Sequence, residues 1–199
     1  MPNLPPKVQE RFSRLPKGLQ DHINRVREVA RELARIHGAD VSRTDLAAAC
    51  HDLARAFNEE SLIEETQRSG MDVSLPEKRL PILLHGPIAA TWLEREMGIT
   101  DPEIIQAVRW HSTARANMST IAKIVFLADK IDPHKVEKRP QLAGIAELAR
   151  ESLDKALLAF IDAELISYIQ AGGVIHPATI EARNELLSRQ VGSRTNEPA

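Results

Sequence analysis

The sequence predicts an all-α protein built as one helical domain. Apolar residues recur at three- and four-residue steps over most of the chain, as they do on the buried side of amphipathic helices. Short apolar runs such as KIVFLAD lack the nearby hairpin or crossover signals that a partner strand would require. With 199 residues, 43% of them hydrophobic, the chain can fill one core but is short for two.

The N-terminal part of the chain is predicted to be an arm followed by a long helix. Residues 1–15 carry three prolines, and we expect them to form a flexible arm. From Leu19 to Ile36 the apolar residues follow a helical spacing, and Gly38 is typical of the residue that ends a helix in a left-handed conformation.

The second and third predicted helices follow closely. Ser42 or Thr44 can cap a helix whose apolar stripe covers residues 46–57. Asn58 is a suitable cap for a shorter helix that runs to Ser69.

Cap residues and prolines predict the starts of three helices in the middle of the chain. Pro87 is expected at the start of a helix through Met97. Thr100 or Asp101 then caps the next helix. Ser119 opens another helix, which ends before a further proline.

The C-terminal part is predicted to hold a long helical segment from about 140 to 170 and a last helix over 177–189. We expect the helical domain to cover 16–190, with its C-terminal helices at about 140–190, and residues 191–199 to form a frayed tail. The wide apolar side of the 140–170 segment favours a homodimer.

Composition excludes several classes of protein. A formal charge of −2 argues against a stable nucleic-acid complex. Cys50 is the only cysteine, so no intrachain disulfide can form and a reducing compartment fits. We find neither a targeting signal nor a run of about 18 apolar residues. The expectation is a cytoplasmic protein that does not enter a membrane.

Polar residues on otherwise apolar helix faces are the main functional signal. Six of them, on five segments of the chain, are expected to point inward: His22, His51, Asp52, His85, His111 and Asp129. Left unsatisfied, each would cost about 1–3 kcal/mol. One or two divalent metal ions would satisfy all six. Imidazole and carboxylate suit iron, manganese or zinc, and the lack of thiolates argues against a structural zinc site.

The order of His22, the His51–Asp52 doublet and a late Asp129 resembles the HD-domain superfamily of metal-dependent phosphohydrolases. Two further segments, LLHGPIAA (83–90) and AVRWHSTARANMSTIAKIVFLADKIDP (107–133), resemble the YqeK-type members, which are symmetrical bis(5′-nucleosyl)-tetraphosphatases. The resemblance covers about residues 17–165. Its metal core would lie at about 17–135, within a single HD-domain helical bundle.

The resemblance implies a binuclear centre, with iron as the expected metal and manganese, cobalt or zinc as substitutes. His22, His51, Asp52 and Asp129 would hold one ion, His85 and His111 the other, and Asp52 would bridge them. The implied activity is symmetrical cleavage of diadenosine tetraphosphate (Ap4A) to two ADP. Two divalent ions about 3.5–4 Å apart neutralise phosphate charge and lower the pKa of a bound water. We therefore expect a metal-bridging hydroxide to attack an inner phosphorus.

Substrate contacts are expected from cations, a hydroxyl group and one aromatic ring near these ligands. Asp52 and Arg55 are the expected catalytic residues, and Arg55 stands where the family commonly has lysine. The expected substrate-binding residues are Arg55, Thr113, Arg115, Lys130, Lys135 and Trp110. The HTTG of the family reads HSTA here, and its acidic-Pro-x-Arg reads DPHK. The ligands match the family pattern, whereas the substrate-facing positions depart from it.

Two alternatives stay open. The protein can be another HD-type nucleotide phosphohydrolase: a nucleotidase, a deoxynucleoside triphosphate hydrolase or an alarmone hydrolase, since fold and ligands do not decide the substrate. It can also be a non-catalytic nucleotide-binding regulatory module. The completeness of the six ligands argues against the second alternative.

Overall fold

A computed structural model describes the backbone of residues 3–194 and the side chains of residues 3–189. Within this part of the chain the secondary structure is helical, with no strand. The α-helices are α1 (Pro6–Ser13), α2 (Lys17–Ile36), α3 (Val41–Cys50), α4 (Glu59–Ser69), α5 (Leu75–Arg79), α6 (His85–Arg95), α7 (Pro102–Trp110), α8 (Thr120–Lys130), α9 (Pro133–Lys138), α10 (Leu142–Glu151), α11 (Leu153–Gln170) and α12 (Pro177–Arg194). A 3₁₀ turn, Pro81–Leu84, precedes α6. The all-α prediction is confirmed.

Four helices form the centre of the domain. α2 packs against both α3 and α8, and α7 closes the group by contacting α3 and α8. Each of these helices presents an apolar face to the others, with Ile23 of α2, Val108 of α7 and Val125 of α8 fully buried. The central group therefore fixes the relative positions of any polar residue that interrupts one of these faces.

The C-terminal helices cover one side of this centre. α11 packs on α8, where the rings of Phe126 and Phe160 meet edge to face at 5.6 Å. α12 in turn packs on α11. The expected 140–170 segment is two helices, because Ser152 is extended (φ −155°) and caps α11 by accepting from the amide of Lys155.

A buried ion pair joins α2 to α3. Asp45 accepts hydrogen bonds from Nε and Nη2 of Arg27 at 3.0 and 2.8 Å, and from Nη1 of Arg31 at 2.8 Å. Asp45 and Arg27 are 2% and 3% exposed. Removing one partner of such a pair costs about 3–5 kcal/mol, because the other charge stays buried.

The flexible arm expected at 1–15 is wrong for most of its length. α1 covers Pro6–Ser13, and Val8 and Phe12 lie one turn apart on its buried face. Proline at the first helical position is compatible with this helix, since its missing N–H would have no intrahelical partner. The prolines were therefore a start signal rather than evidence for a loose chain.

The tail expected at 191–199 is also partly wrong. α12 continues to Arg194, five residues past the predicted end of the last helix, and residues 195–199 lie outside the described part of the chain. No helix among the described residues is both long and apolar enough to cross a bilayer.

Helix α3, the second of the helices predicted from the sequence, ends earlier than its apolar stripe predicts. Asp40 rather than Ser42 or Thr44 caps α3, by accepting from the amide of Arg43, and α3 ends at Cys50. Residues 51–56 continue as turns, with bonds such as Leu53 N to Cys50 O. The His–Asp doublet therefore follows the helix instead of lying within it.

Candidate metal centre

The six polar residues expected to point inward come together in one cluster. His22 is on α2, the doublet follows α3, His85 opens α6, and His111 follows α7. Asp129 lies in the last turn of α8. All six are largely buried, with His22 the most exposed at 12% of its side chain. The packing of the four central helices thus brings these residues to a common point.

Three of the four imidazole rings in the cluster share one orientation. Nδ1 of His51 and of His111 each lies 2.7 Å from the carbonyl oxygen three residues earlier, of Ala48 and Val108. Nδ1 of His85 makes the same contact to the carbonyl of Ile82. A carbonyl only accepts, so each Nδ1 carries the proton and each Nε2 presents a lone pair to the cluster.

Asp52 lies between two pairs of histidines. Its Oδ1 is 3.0 Å from Nε2 of His85 and 3.5 Å from Nε2 of His111. Its Oδ2 is 3.6 Å from Nε2 of His22 and 3.5 Å from Nε2 of His51. One carboxylate therefore offers a separate oxygen to each pair, as a bridging ligand must.

Asp129 contacts one of these two pairs, His22 and His51. We call these two histidines with Asp129 the inner group, and His85 with His111 the outer group. Its Oδ1 lies 3.1 Å from Nε2 of His22 and 3.8 Å from Nε2 of His51. Lys135 donates to Oδ1 at 2.6 Å, and Lys130 donates to Oδ2 at 2.8 Å. The two ammonium groups bring positive charge to the rim of the cluster.

The electrostatics favour ionised carboxylates. Burial raises the pKa of Asp52, but His51, His111 and His85 outweigh it, so this pKa lies well below the usual range. Burial also raises the pKa of Asp129, and Lys130, His22 and Lys135 bring it well below the usual range. Both side chains are anionic at neutral pH and available to a cation.

The histidine pKa values move in opposite directions. Burial lowers the pKa of His22, but hydrogen bonds to Asp129 and Asp132 outweigh it and raise the pKa to about 9. Burial dominates at His111 and lowers its pKa to about 4. His111 is therefore neutral at physiological pH, the form that binds a metal.

The residues fit a divalent cation. Nε2 of His51 is buried and, among the described side chains, is the polar atom without a hydrogen-bond partner. The ligand atoms of His22, His51 and Asp129 lie within 4.8 Å of one another, and so do those of His51, Asp52 and His111. Imidazole nitrogens and carboxylate oxygens are the donors that iron, manganese and zinc accept. A cation would satisfy the orphaned nitrogen.

A cavity of about 350 Å³ opens beside this cluster. Asp52, His85, His111 and Asp129 are among the residues that line it. Four residues expected to contact substrate also line it: Arg55, Thr113, Lys130 and Lys135. Arg55 is exposed, and its side chain makes no hydrogen bond or ion pair with another described residue. Its guanidinium group is thus available to an anionic ligand.

Trp110 and Arg115 do not line this cavity, in contrast to the prediction. They line a second cavity of about 200 Å³, where the Arg115 guanidinium lies 5.6 Å from the Trp110 ring. Both side chains bond Oε1 of Gln106, at 2.8 Å from Trp110 Nε1 and 3.0 Å from Arg115 Nη1. Gln106 is one helical turn before Trp110, so it holds the indole away from the cluster.

Sequence reasoning missed two features of the site. The carboxylate of Asp132 lies 2.9 Å from Nδ1 of His22; its position three residues after Asp129 was the available signal. Tyr168, 38% exposed, also lines the cavity, as do Val174 and Ile175. The predicted helical segment from about 140 to 170 includes Tyr168, but the sequence gave no sign of the cavity.

The HSTA loop has a left-handed backbone conformation at Ala114, the position where the family pattern has glycine. Ala114 has a φ of 58° and is fully buried. Glycine enters this left-handed region without a Cβ penalty, whereas other residues lose about 1–2 kcal/mol there. The chain therefore keeps the turn of the loop although it lacks the glycine.

The domain is all-α and contains a buried His–Asp doublet, further histidines and a late aspartate. These features are those of a helical, metal-dependent hydrolase. The HD domain family model matches residues 19–134, and the chain belongs to the HD domain family. The resemblance found in the sequence is confirmed.

The chain is also similar to individual proteins and to a solved structure. It is 33% identical to the "Bis(5'-nucleosyl)-tetraphosphatase, symmetrical" of Halalkalibacterium halodurans, over 85% of this chain and 89% of the relative. The protein of the same name from Bacillus subtilis is 30% identical over 84% of this chain and 88% of its own length. A crystal structure described as a predicted HD superfamily hydrolase involved in NAD metabolism, from Clostridium acetobutylicum, matches with a TM-score of 0.85. That match has 33% identity and covers 92% of this chain and 96% of the other.

Proposed function

We propose that this protein hydrolyses Ap4A symmetrically, giving two ADP. The observation that carries the proposal is the cavity in which a buried His–Asp cluster meets a cationic rim. Polyphosphates require this combination, because their charge repels an attacking nucleophile unless cations neutralise it. The two relatives named as symmetrical bis(5′-nucleosyl)-tetraphosphatases support this substrate and this position of cleavage.

The cluster is proposed to hold two divalent ions, with iron as the expected metal and manganese, cobalt or zinc as substitutes. His22, His51 and Asp129 would hold the inner ion, His85 and His111 the outer ion, and Asp52 would contribute one oxygen to each. Bound divalent cations supply Lewis acidity, which neutralises phosphate oxygens and lowers the pKa of water. The bridging role of Asp52 is supported by its two oxygens, each 3.0–3.6 Å from a different histidine pair.

The rim is proposed to bind and orient the phosphate chain. Arg55 follows the doublet by one turn and can hold two phosphate oxygens with its planar guanidinium. Lys130 and Lys135 lie beside Asp129 at the same end of the cavity and contribute point charges. Their charge also stabilises the departing ADP, which leaves as an anion and needs little protonation.

The apolar end of the cavity is proposed to receive one nucleoside. Tyr168 offers an aromatic ring there, and Val174 and Ile175 add apolar side chains to the same lining. This replaces the stacking role expected for Trp110, which lies at the other cavity.

The decisive experiment combines anaerobic purification and metal analysis with chromatography of the products from Ap4A. ADP as the sole nucleotide product, from protein with about two metal ions per chain, is the expected result. AMP with ATP, or release of inorganic phosphate, would instead favour another nucleotide phosphohydrolase. Tight nucleotide binding without turnover in metal-replete protein would favour a regulatory module.

Four further predictions accompany this function. The extent of the metal core at about 17–135, the cytoplasmic location, the lack of a stable nucleic-acid complex and the homodimer stay predictions. Ile166 and Ile169 of α11 are 57% and 65% exposed, which supports a partner surface on the 140–170 segment. Sedimentation analysis of the metal-loaded protein tests the dimer, and a monomer mass at micromolar concentration would contradict it.

A further inference from the structure

One of the four clustered histidines is oriented differently from the others. His51, His85 and His111 direct Nδ1 at a main-chain carbonyl of their own segment. His22 directs Nδ1 at a carboxylate 110 residues away in the chain, Oδ2 of Asp132, at 2.9 Å. The orientation of His22 therefore depends on tertiary structure, whereas that of the others is set locally.

Asp132 is itself held rigidly. It is 1% exposed. Arg25 donates to both of its oxygens, from Nε to Oδ1 at 2.6 Å and from Nη2 to Oδ2 at 3.1 Å. Oδ1 also accepts from the amide of His134 at 3.2 Å and so caps α9. These bonds leave Oδ2 pointing at the imidazole.

The fold of α9 does not require the negative charge of Asp132. Asparagine caps helices about as well as aspartate, since the cap uses only a side-chain oxygen. Arg25 is about one third exposed on its side chain and would remain hydrated without its partner. His22 is thus the group to which the carboxylate charge matters most.

We propose that Asp132 is a positioning residue that holds the His22 ring with Nε2 facing Asp52 and Asp129, and thereby strengthens cation binding at the inner group. The inference rests on the metal centre of the proposed function. Carboxylate partners of metal-binding histidines fix the tautomer and ring orientation, and replacing them lowers metal affinity about 10–100-fold. The outer group, His85 and His111, has no such partner among the described residues, so the effect is confined to the inner ion.

The test is a stepwise Co²⁺ titration of metal-free protein, followed by calorimetry and by visible absorption. Asp132→Asn keeps the α9 cap and removes the charge. It is expected to weaken Co²⁺ binding about 10–100-fold at one of the two sites and to alter the absorption bands of that site, with the other site within about threefold of wild type. Asp132→Ser also keeps a capping oxygen but is too short to reach His22; it is expected to give the same loss, so the test does not depend on one variant folding.

The matched control is Asp45→Asn. Asp45 is also buried and paired with arginines, but it contacts none of the clustered histidines. It should lower the melting temperature and leave both Co²⁺ affinities unchanged. Unchanged Co²⁺ binding in folded Asp132→Asn and Asp132→Ser, or equal weakening of both sites, would overturn the inference. Wild-type protein that binds Co²⁺ normally but leaves Ap4A intact would overturn only the proposed function.

Discussion

Gly86 is the position at which a single methyl group should separate the two halves of the metal centre. It follows His85 at the start of α6, where this helix crosses the end of α7. A Cβ atom at Gly86 would lie 2.9 Å from the carbonyl oxygen of Arg109, 3.0 Å from that of Val108 and 3.2 Å from Cε1 of His111. Two of these neighbours are main-chain atoms, so the helices themselves must move.

The size of the effect follows from these distances. Relieving the closest contact requires a shift of about half an ångström between α6 and α7, whereas metal–ligand bonds tolerate deviations of about 0.2 Å. Overpacking of this kind costs about 1–3 kcal/mol, and the helix propensity of alanine returns about 0.5–1 kcal/mol. Gly86→Ala is expected to lower the free energy of unfolding by about 0.5–2 kcal/mol. It should also lower the metal content from the proposed two ions towards one, since His85 and His111 move apart.

Urea unfolding followed by circular dichroism measures the first effect, and metal analysis of the purified protein measures the second. Gly144→Ala is the matched control, because Gly144 is exposed within α10 and a Cβ there meets nothing within 4 Å. The control should gain about 0.5–1 kcal/mol and keep both ions. A Gly86→Ala protein with wild-type stability and full metal content would show that the close approach of α6 to α7 does not position the outer histidines.

Three further substitutions test individual roles. Asp52→Ala removes a carboxylate that faces both histidine pairs. Two charge-assisted contacts of about 1.5–3 kcal/mol each predict a 10²–10⁴-fold loss of metal affinity, which a metal titration measures. Full metal content with normal turnover would refute the bridging role. Arg55→Ala should keep the metals and lower kcat/KM for Ap4A about 10–100-fold, with Arg55→Lys intermediate; loss of metal would mean that Arg55 supports the cluster instead. Tyr168→Ala should raise KM about 5–100-fold through lost stacking worth about 1–3 kcal/mol, and a larger effect from Trp110→Phe, which alters the other cavity, would contradict this assignment.

Local signals predicted most of the helices, and with the family resemblance they predicted the six residues of the His–Asp cluster. Helical periodicity shows which face of a helix is buried, and a polar residue on that face stands out. His22, His111 and Asp129 were found in this way, and all three lie in the cluster. The caps at Asn58, which accepts from the amide of Ser61, and at Ser119 follow equally local rules.

Contacts between distant segments could not be predicted from the sequence. The bond from His22 to Asp132 spans 110 residues, and the position of Asp132 three residues after Asp129 suggests nearness to the cluster without identifying His22 as its partner. Trp110 was expected at the substrate because it adjoins His111, but neighbours in a helix point about 100° apart. Side-chain partners then decide the direction, and here the partner is Gln106.

The His51–Asp52 doublet shows why a local error in the helix boundary did not prevent the two residues from joining the predicted cluster. In a continuous helix the two side chains would diverge by about 100°, and only their flanks could reach a common point. Because α3 ends at Cys50 and the chain continues in turns, both side chains become buried, and Asp52 reaches the centre of the cluster. His51 is held by the carbonyl of Ala48, which the end of the helix leaves free of a main-chain partner. The end of the helix thus supplies both the acceptor that fixes the His51 tautomer and the change of direction that turns Asp52 inward.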